Sequence, residues 1–387
     1  MFKQAERISQ LPPYLFKEID ENKKRIMTRG VDIIDLGIGD PDLPTPPHII
    51  EAMASAVKDP ANHRYPSYAG MEEFRYAIAE WYQRRFSVKL DPEDEVIVLI
   101  GAKEGIAHIS LAFIDHGDLA LVPTPAYPVY NSGTLFAGGE SYFLPLLAEH
   151  GFKPDLAAIP PEVTKRAKML WINYPNNPTA AVAERDFFEA IVAFGHRHGI
   201  MVCHDLTYSE IAFNGYKPMS LLEVDGAKEI GVEFHSLSKT FNMTGWRIAF
   251  AVGNREAIQG LCAIKSNLDS GAFQAIQIAG IAALKSHRES IPEMVTVYEK
   301  RRDIMVRGLH GAGFTVNPPK ATFYLWVPVP RPYTSMDLTS KLLIEAGVVV
   351  TPGNGFGSAG DGYIRIALTQ DEKRLREAAE RIQRVGL

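Results

Sequence analysis

Cysteine is scarce in this chain: Cys203 and Cys262 are the only two among 387 residues. Two distant thiols exclude a disulfide framework and a cysteine-based metal site, and they point to a reducing, cytoplasmic setting. Cys203 closes an apolar run and reads as a small core residue. Long apolar runs are also missing. None approaches the roughly 20 residues that span a bilayer, and Met1–Asp20 scatters charges where an export signal needs an apolar core. Basic charge is not in excess, since 41 Lys and Arg against 46 Asp and Glu give a net −5. A general attraction to nucleic acid or to an anionic membrane is therefore not expected. There are no repeats, no low-complexity tracts and no metal-ligand spacing.

What remains is an ordinary globular composition, 46% hydrophobic and 22% charged. At about 150 residues per domain the length suits two to three domains' worth of core. Met1–Gly30 reads as a short arm with some helix, interrupted at Pro12-Pro13, and Val31–Gly39 as a short strand. From Val96 to Gly253 short apolar runs alternate with helical patterns. Val96–Ile100, Leu119–Val122, Met169–Ile172, Ile200–Cys203, Val232–His235 and Ile248–Val252 read as buried strands. Glu104–Ile114 and Glu184–His198 read as helices between them. This alternation predicts an α/β layered domain with a largely parallel sheet, and ligands then bind at the carboxyl ends of the strands. A long helical pattern runs from Ile276 to His310. Strand-like pieces at Phe323–Val327, Val348–Thr351 and Tyr363–Ala367 follow, then a closing helix over Asp371–Val385, which together predict a smaller α+β domain.

Chemistry-bearing residues gather just beyond the predicted strands. Ser236-Leu237-Ser238-Lys239 through Gly245-Trp246-Arg247 fits either a plain polar turn or a phosphate-bearing aldehyde cofactor. For the latter, lysine supplies the covalent anchor while arginine and serine clamp the phosphate. Gly101-Ala102-Lys103 opens a helix whose free N–H groups suit an anion, or it is a simple strand–helix turn. Tyr127, held among Pro123, Pro125 and Pro128, stacks on a planar ring or packs in its loop. Asn173 to Thr179 sets an amide donor in a proline-rigid turn. Asp205 at a buried strand end needs a cationic or donor partner. A ring N–H would serve, with Tyr208 beside it and His204 as support. Arg365 in Tyr363–Ala367 fits either an internal salt bridge or a bidentate carboxylate clamp.

Taken together, Gly39-Asp40-Pro41-Asp42, Tyr65-Pro66 with Gly70, Asn176-Asn177-Pro178-Thr179, Asp205 with Tyr208, Ser236 with Lys239 and Arg247, and Arg365 resemble the class I/II, fold-type I pyridoxal-phosphate aminotransferases. The resemblance runs from Leu36 to Ala367. It implies a large domain (46–280) with a mostly parallel seven-stranded-type sheet between helices, and a small α+β domain (1–45 and 281–387) that includes the N-terminal arm. It implies pyridoxal 5′-phosphate as cofactor, with Lys239 forming the covalent link and then moving the substrate proton. By the same resemblance Asp205 holds the pyridinium, Tyr208 and Asn177 bond the ring oxygen, and Tyr127 stacks on the ring. Backbone at Ala102 and Lys103, with Ser236, Ser238 and Arg247, cradles the phosphate, and Tyr65 reaches the neighbouring subunit's phosphate. Arg365 binds the α-carboxylate, with Gly39 leaving it room. Lys239, near a cationic ring and Arg247, is expected to have a lowered pKa.

Ser238–Arg247, Lys265–Gly271, Phe273–Gln277, Thr351–Gly357 and Leu11–Tyr14 are most similar to the LL-diaminopimelate aminotransferases. That likeness implies exchange between L,L-2,6-diaminopimelate or tetrahydrodipicolinate and glutamate or 2-oxoglutarate, a step of lysine biosynthesis. A second carboxylate then needs a second cationic site, for which Lys103 is the candidate, helped by Tyr14 and Asn267. The implied state is a cytoplasmic homodimer with shared active sites, completed by Tyr65 and Ser270, acting on small amino and keto acids with no metal. Alanine aminotransferases share several of these tracts, and a β-lyase uses the same Lys239, Asp205 and Arg365. An aminotransferase-like regulator would need a DNA-binding domain ahead of Val31, and no basic helix-turn-helix pattern is present there.

Overall fold

The computed structural model describes residues 2–11, 21, 23, 25, 26, 28 and 30–386. Its centre is a seven-stranded sheet built from β2 (Val96–Leu99), β3 (Leu119–Thr124), β4 (Glu140–Pro145), β5 (Ala167–Ile172), β6 (Met201–Asp205), β7 (Gly231–Ser236) and β8 (Ala249–Gly253). The order is β2-β8-β7-β6-β5-β3-β4. All pairs are parallel except those made by β8, which runs antiparallel to β2 and β7. This is the fold-type I architecture that the motifs implied.

Period-two geometry sorts the strand residues to two faces. Ile97, Leu99, Val122, Trp171 and Cys203 join a core with Ile106, Ile109, Val129 and Leu261, from helices Ala102–Phe113, Val129–Phe136 and Arg255–Leu268. Val96, Val98, Leu121, Leu170 and Val202 face Phe74, Ile78, Trp81, Phe188 and Ile191, from helices Glu72–Phe86 and Arg185–His198. Both faces are covered, so the central strands are near-continuous apolar runs, and that made them readable. Strand β4 lacked this signal. It is a half-exposed edge strand, Glu140-Ser141-Tyr142-Phe143-Leu144-Pro145, pairing only with β3. Sequential strands progress away from β5 in one direction and from β3 in the other. The order therefore reverses between β3 and β5, which opens a crevice at their carboxyl ends.

A second sheet of β11 (Thr351–Pro352), β12 (Tyr363–Ala367) and β9 (Tyr324–Pro328) is antiparallel, in that order. The piece Val348–Thr351, expected as one strand, divides. β10 (Val348–Val349) pairs in parallel with β1 (Ile34–Asp35), while Thr351 belongs to β11. The expected long helix from Ile276 to His310 is also two helices, Gln274–Lys285 and His287–Gly311, parted at Ser286. The Ser286 hydroxyl donates to Ala283 O and lies 2.6 Å from His48 Nε2. The closing helix Glu372–Val385 packs on His287–Gly311 and is tied to the start of β1 by Arg374 and Arg381, both paired with Asp32. Among the described residues no helix is long and apolar enough to cross a membrane.

Candidate active site

A cavity of ≈ 800 Å³ occupies the crevice. Its floor is supplied by the ends of β3, β5, β6 and β7 and the start of the helix Ala102–Phe113, and its roof by the segment Gly37–Asp40, Tyr324, Phe356 and Arg365. It gathers Gly39, Ala102, Lys103, Tyr127, Asn177, Asp205, Tyr208, Ser236, Ser238, Lys239, Arg247 and Arg365. Those positions lie far apart in sequence, and the parallel topology brings them to one rim.

Lys239 follows β7 on a single helical turn, Leu237–Thr240, capped by the Ser236 hydroxyl, which accepts from Ser238 N. Its ammonium donates to Gly39 O at 2.8 Å. Its pKa is lowered to about 8, chiefly by burial; Asp40 opposes the shift, and the positive charges of Arg365 and Arg247 add to it. The expected depression is thus present in the protein alone.

Asp205 ends β6 and is buried. One carboxylate oxygen accepts from Thr207 Oγ1 at 2.6 Å and Thr207 N at 3.2 Å, and the other accepts from the Tyr130 hydroxyl at 2.8 Å. Burial raises its pKa; the Thr207 and Tyr130 donors pull it back. Tyr130 stacks on Trp171 with centroids 4.8 Å apart, so its hydroxyl is held rigidly. Behind Asp205, His204 lies 2.7 Å from the buried Glu233, which also accepts from Tyr82 and Leu221 N. His204 supports the floor and does not line the cavity.

Asn177 and Arg365 meet directly. Arg365 Nη1 donates to Asn177 Oδ1 at 2.7 Å and Nη2 to Gly37 O at 2.7 Å. The guanidinium lies over Tyr324 and Phe356, 4.3 and 4.6 Å from their centroids. No acidic residue among those described pairs with it, and its buried Nε has no hydrogen-bond partner. An internal salt bridge at Arg365 is therefore absent among the described residues. Tyr208 OH is 3.1 Å from Tyr324 OH. Gly39 is forced by the same tyrosine, since a Cβ there would lie 1.9 Å from the Tyr324 hydroxyl oxygen.

At the opposite end Gly101 (φ +86) precedes the helix Ala102–Phe113. A Cβ on Gly101 would sit 2.2 Å from Arg247 Nη2. The first N–H groups of that helix have no intrahelical acceptor, and Arg247, Ser236 and Ser238 line the same cavity. Lys103 is exposed there, and Tyr127 stands edge-on to Tyr130 at 6.0 Å. Two expected residues, Tyr65 and Asn267, do not line this cavity: Tyr65 is 87% exposed, and Asn267 is exposed with its amide on Ala263 O. Tyr14 lies outside the described residues.

The family model for aminotransferase class I and II matches residues 31–382. The chain belongs to that family. It is 58% identical over 385 residues to the LL-diaminopimelate aminotransferase of Syntrophobacter fumaroxidans, covering 100% of this chain and 99% of that protein. It is 52% identical to the protein of the same name from Aquifex aeolicus, covering 100% of each. Among solved structures it is similar to substrate-bound BacF from Bacillus subtilis, with a TM-score of 0.96, 39% identity and 100% and 98% of the two chains covered. A probable N-succinyldiaminopimelate aminotransferase from Thermus thermophilus gives 0.91 and 38% identity, with 96% and 100% covered.

This aminotransferase works with pyridoxal 5′-phosphate, and its cavity suits that group. A buried carboxylate on the floor matches a ring N–H. The Arg247 guanidinium packs directly on Gly101, where a Cβ would lie 2.2 Å from Nη2, and the cation beside free helix N–H groups matches a phosphate. Three neighbours of the site escaped the sequence reading. Tyr130 lies three residues beyond Tyr127, and Thr207 two beyond Asp205, where a hydroxyl commonly caps a preceding carboxylate. Tyr324 was read only as part of a strand.

Proposed function

We propose that this aminotransferase moves an amino group between L,L-2,6-diaminopimelate and 2-oxoglutarate, with tetrahydrodipicolinate and glutamate on the other side. The observation that carries the reading is full-length identity of 58% and 52% to proteins named for that activity. Cation placement supports it. Arg365 sits at the roof and Lys103 at the rim of one cavity, which suits substrates with two carboxylates.

Bound pyridoxal phosphate supplies an aldehyde carbon that carries the amino group and a ring that accepts electrons. The residues do the rest. Asp205, steadied by Tyr130 and Thr207, would keep a ring nitrogen protonated. Tyr208 and Asn177 would donate to the ring oxygen, and Tyr127 would pack on the ring. Ala102 and Lys103 N–H groups, Ser236, Ser238 and Arg247 would hold the phosphate. Lys239 would hold the cofactor covalently and, since its buried setting favours the neutral amine, would take and return the substrate's α-proton. Arg365 grips the α-carboxylate through its fork, beside the space that Gly39 leaves.

In this reading the chain divides into a large domain, 46–280, and a small one, 1–45 with 281–387. The enzyme works in the cytoplasm as a homodimer. Tyr65, exposed in one protomer, contacts the partner's phosphate, and Tyr14 and Asn267 assist Lys103 at the distal carboxylate. Lys103→Ala tests the substrate assignment. It should raise KM about tenfold for dicarboxylic substrates, the worth of one charged hydrogen bond, and leave pyridoxal phosphate affinity, which draws on the Lys103 backbone, little changed. A KM unchanged for dicarboxylic substrates would contradict the assigned role.

A further inference from the structure

Glu104 opens the phosphate-side helix but does not line the cavity. Its Oε2 accepts from Ile100 N at 3.0 Å, fixing the strand–helix turn. Its Oε1 accepts from Lys265 Nζ at 3.1 Å and lies 2.7 Å from His108 Nδ1. Lys265, on the helix Arg255–Leu268, has a side chain with no solvent exposure. Its ammonium also donates to Asp269 Oδ2 at 3.0 Å. Glu104, His108 and Asp269 lie within 4.8 Å of one another, and Lys265 supplies the cation among them. A fully desolvated ammonium persists only when well paired. Here its two anionic partners belong to two different segments.

Asp269 continues the chain of contacts. Its other oxygen accepts from Gly271 N at 2.7 Å, closing the turn that carries Ser270. Gly271 (φ +80) packs against the Tyr65 segment, where an added Cβ would meet Pro66 Cγ and Ser67 O at 3.1 Å. Gln274 donates to Arg64 O at 3.1 Å, and Gln277 Oε1 accepts from Met71 N at 2.7 Å. The Tyr65 segment is thus built on the turn that Asp269 shapes.

We propose that Lys265 is a positioning residue that couples two active sites. Through Glu104 it sets the helix start that holds the phosphate in its own subunit. Through Asp269 it sets the turn and the Tyr65 segment that complete the neighbouring site. The proposal rests on the shared-site homodimer put forward above.

Hybrid dimers test it. One subunit carries Lys239→Ala with Lys265→Met and the other is wild type, so the single live site keeps its own Lys265. The control hybrid carries Lys239→Ala alone. The readouts are pyridoxal phosphate affinity of the cofactor-free protein, by absorbance titration, and KM against kcat at the live site. We expect cofactor affinity or KM at the live site to worsen about tenfold against the control, within the range of coupling through packed networks, with kcat little changed. The Lys265→Met homodimer should also lose cofactor affinity, and Lys265→Arg should restore part of it. A live site indistinguishable from the control would overturn the coupling. Asp269→Asn keeps the Lys265–Glu104 pair and serves if Lys265→Met does not fold. It should weaken the partner's live site while sparing its own phosphate affinity, and the reverse pattern would overturn the proposal. Sedimentation of the wild type separates the two layers, because an active monomer would overturn the shared-site reading itself.

Discussion

Gly101 and Arg247 are packed so closely that a methyl group on the glycine would stand 2.2 Å from the arginine's Nη2. The atom in the way is the far end of a flexible side chain, so an added carbon displaces the guanidinium and leaves the backbone standing. Gly101 also has φ +86 and ψ 147, close to a region essentially confined to glycine, where an L side chain costs about 1–3 kcal/mol. Gly101→Ala should therefore lose about that much stability and, where folded, bind pyridoxal phosphate at least about tenfold more weakly, the loss of one charged phosphate contact. Absorbance titration of the cofactor-free protein checks this. A free phosphate-lacking pyridoxal should be much less affected.

Lys239 gives a pH prediction. Its native pKa of about 8 lies below the ordinary lysine value of 10.5. The neutral, nucleophilic amine therefore grows in as pH rises towards 8. Recombination of cofactor-free protein with pyridoxal phosphate should accelerate up to about pH 8 and then level off. A rate still climbing above pH 10 would mean an ordinary lysine. The linkage sign follows: the unfolded chain holds the proton more tightly, so this group costs stability below pH 8 and the cost fades as pH rises to 10.5. Lys239→Ala should remove the cost, and the yellow colour with it.

Tyr130→Phe deletes the donor to Asp205 Oδ2 and leaves the stacking on Trp171 intact. With one donor gone, burial dominates and the carboxyl pKa rises further. The acid-side loss of activity should then begin at higher pH than in the wild type. A charged hydrogen bond of this kind contributes about 1.5–3 kcal/mol. A profile unchanged on the acid side would show that Thr207 alone suffices.

These residues also mark how far the sequence could be read. Buried strands such as Val96–Leu99 and Tyr363–Ala367 were legible because both faces are covered and every residue is apolar or aimed at the site. Edge strand β4 was not, since half of it faces water. The break at Ser286 was hidden because the helical pattern continues across it. Lys239, Asp205, Asn177 and Arg365 stood out as polar residues at the ends of apolar runs. Tyr130, Thr207 and Tyr324 did not, because their importance lies in which neighbour they touch across the fold. The direct bond from Arg365 to Asn177 spans 188 residues of sequence, and no local pattern encodes it. Lys265 was quoted only as part of a similar tract, and its burial between Glu104 and Asp269 became visible in three dimensions.

The central claim is amino-group transfer with a diamino dicarboxylic acid as donor. The most direct measurement follows the visible absorbance of the holoenzyme as single amino acids are added without any keto acid. The account predicts bleaching of the yellow form by L,L-diaminopimelate and by glutamate, not by alanine, and recovery on adding 2-oxoglutarate. Bleaching by alanine and glutamate, with L,L-diaminopimelate inert, would contradict it.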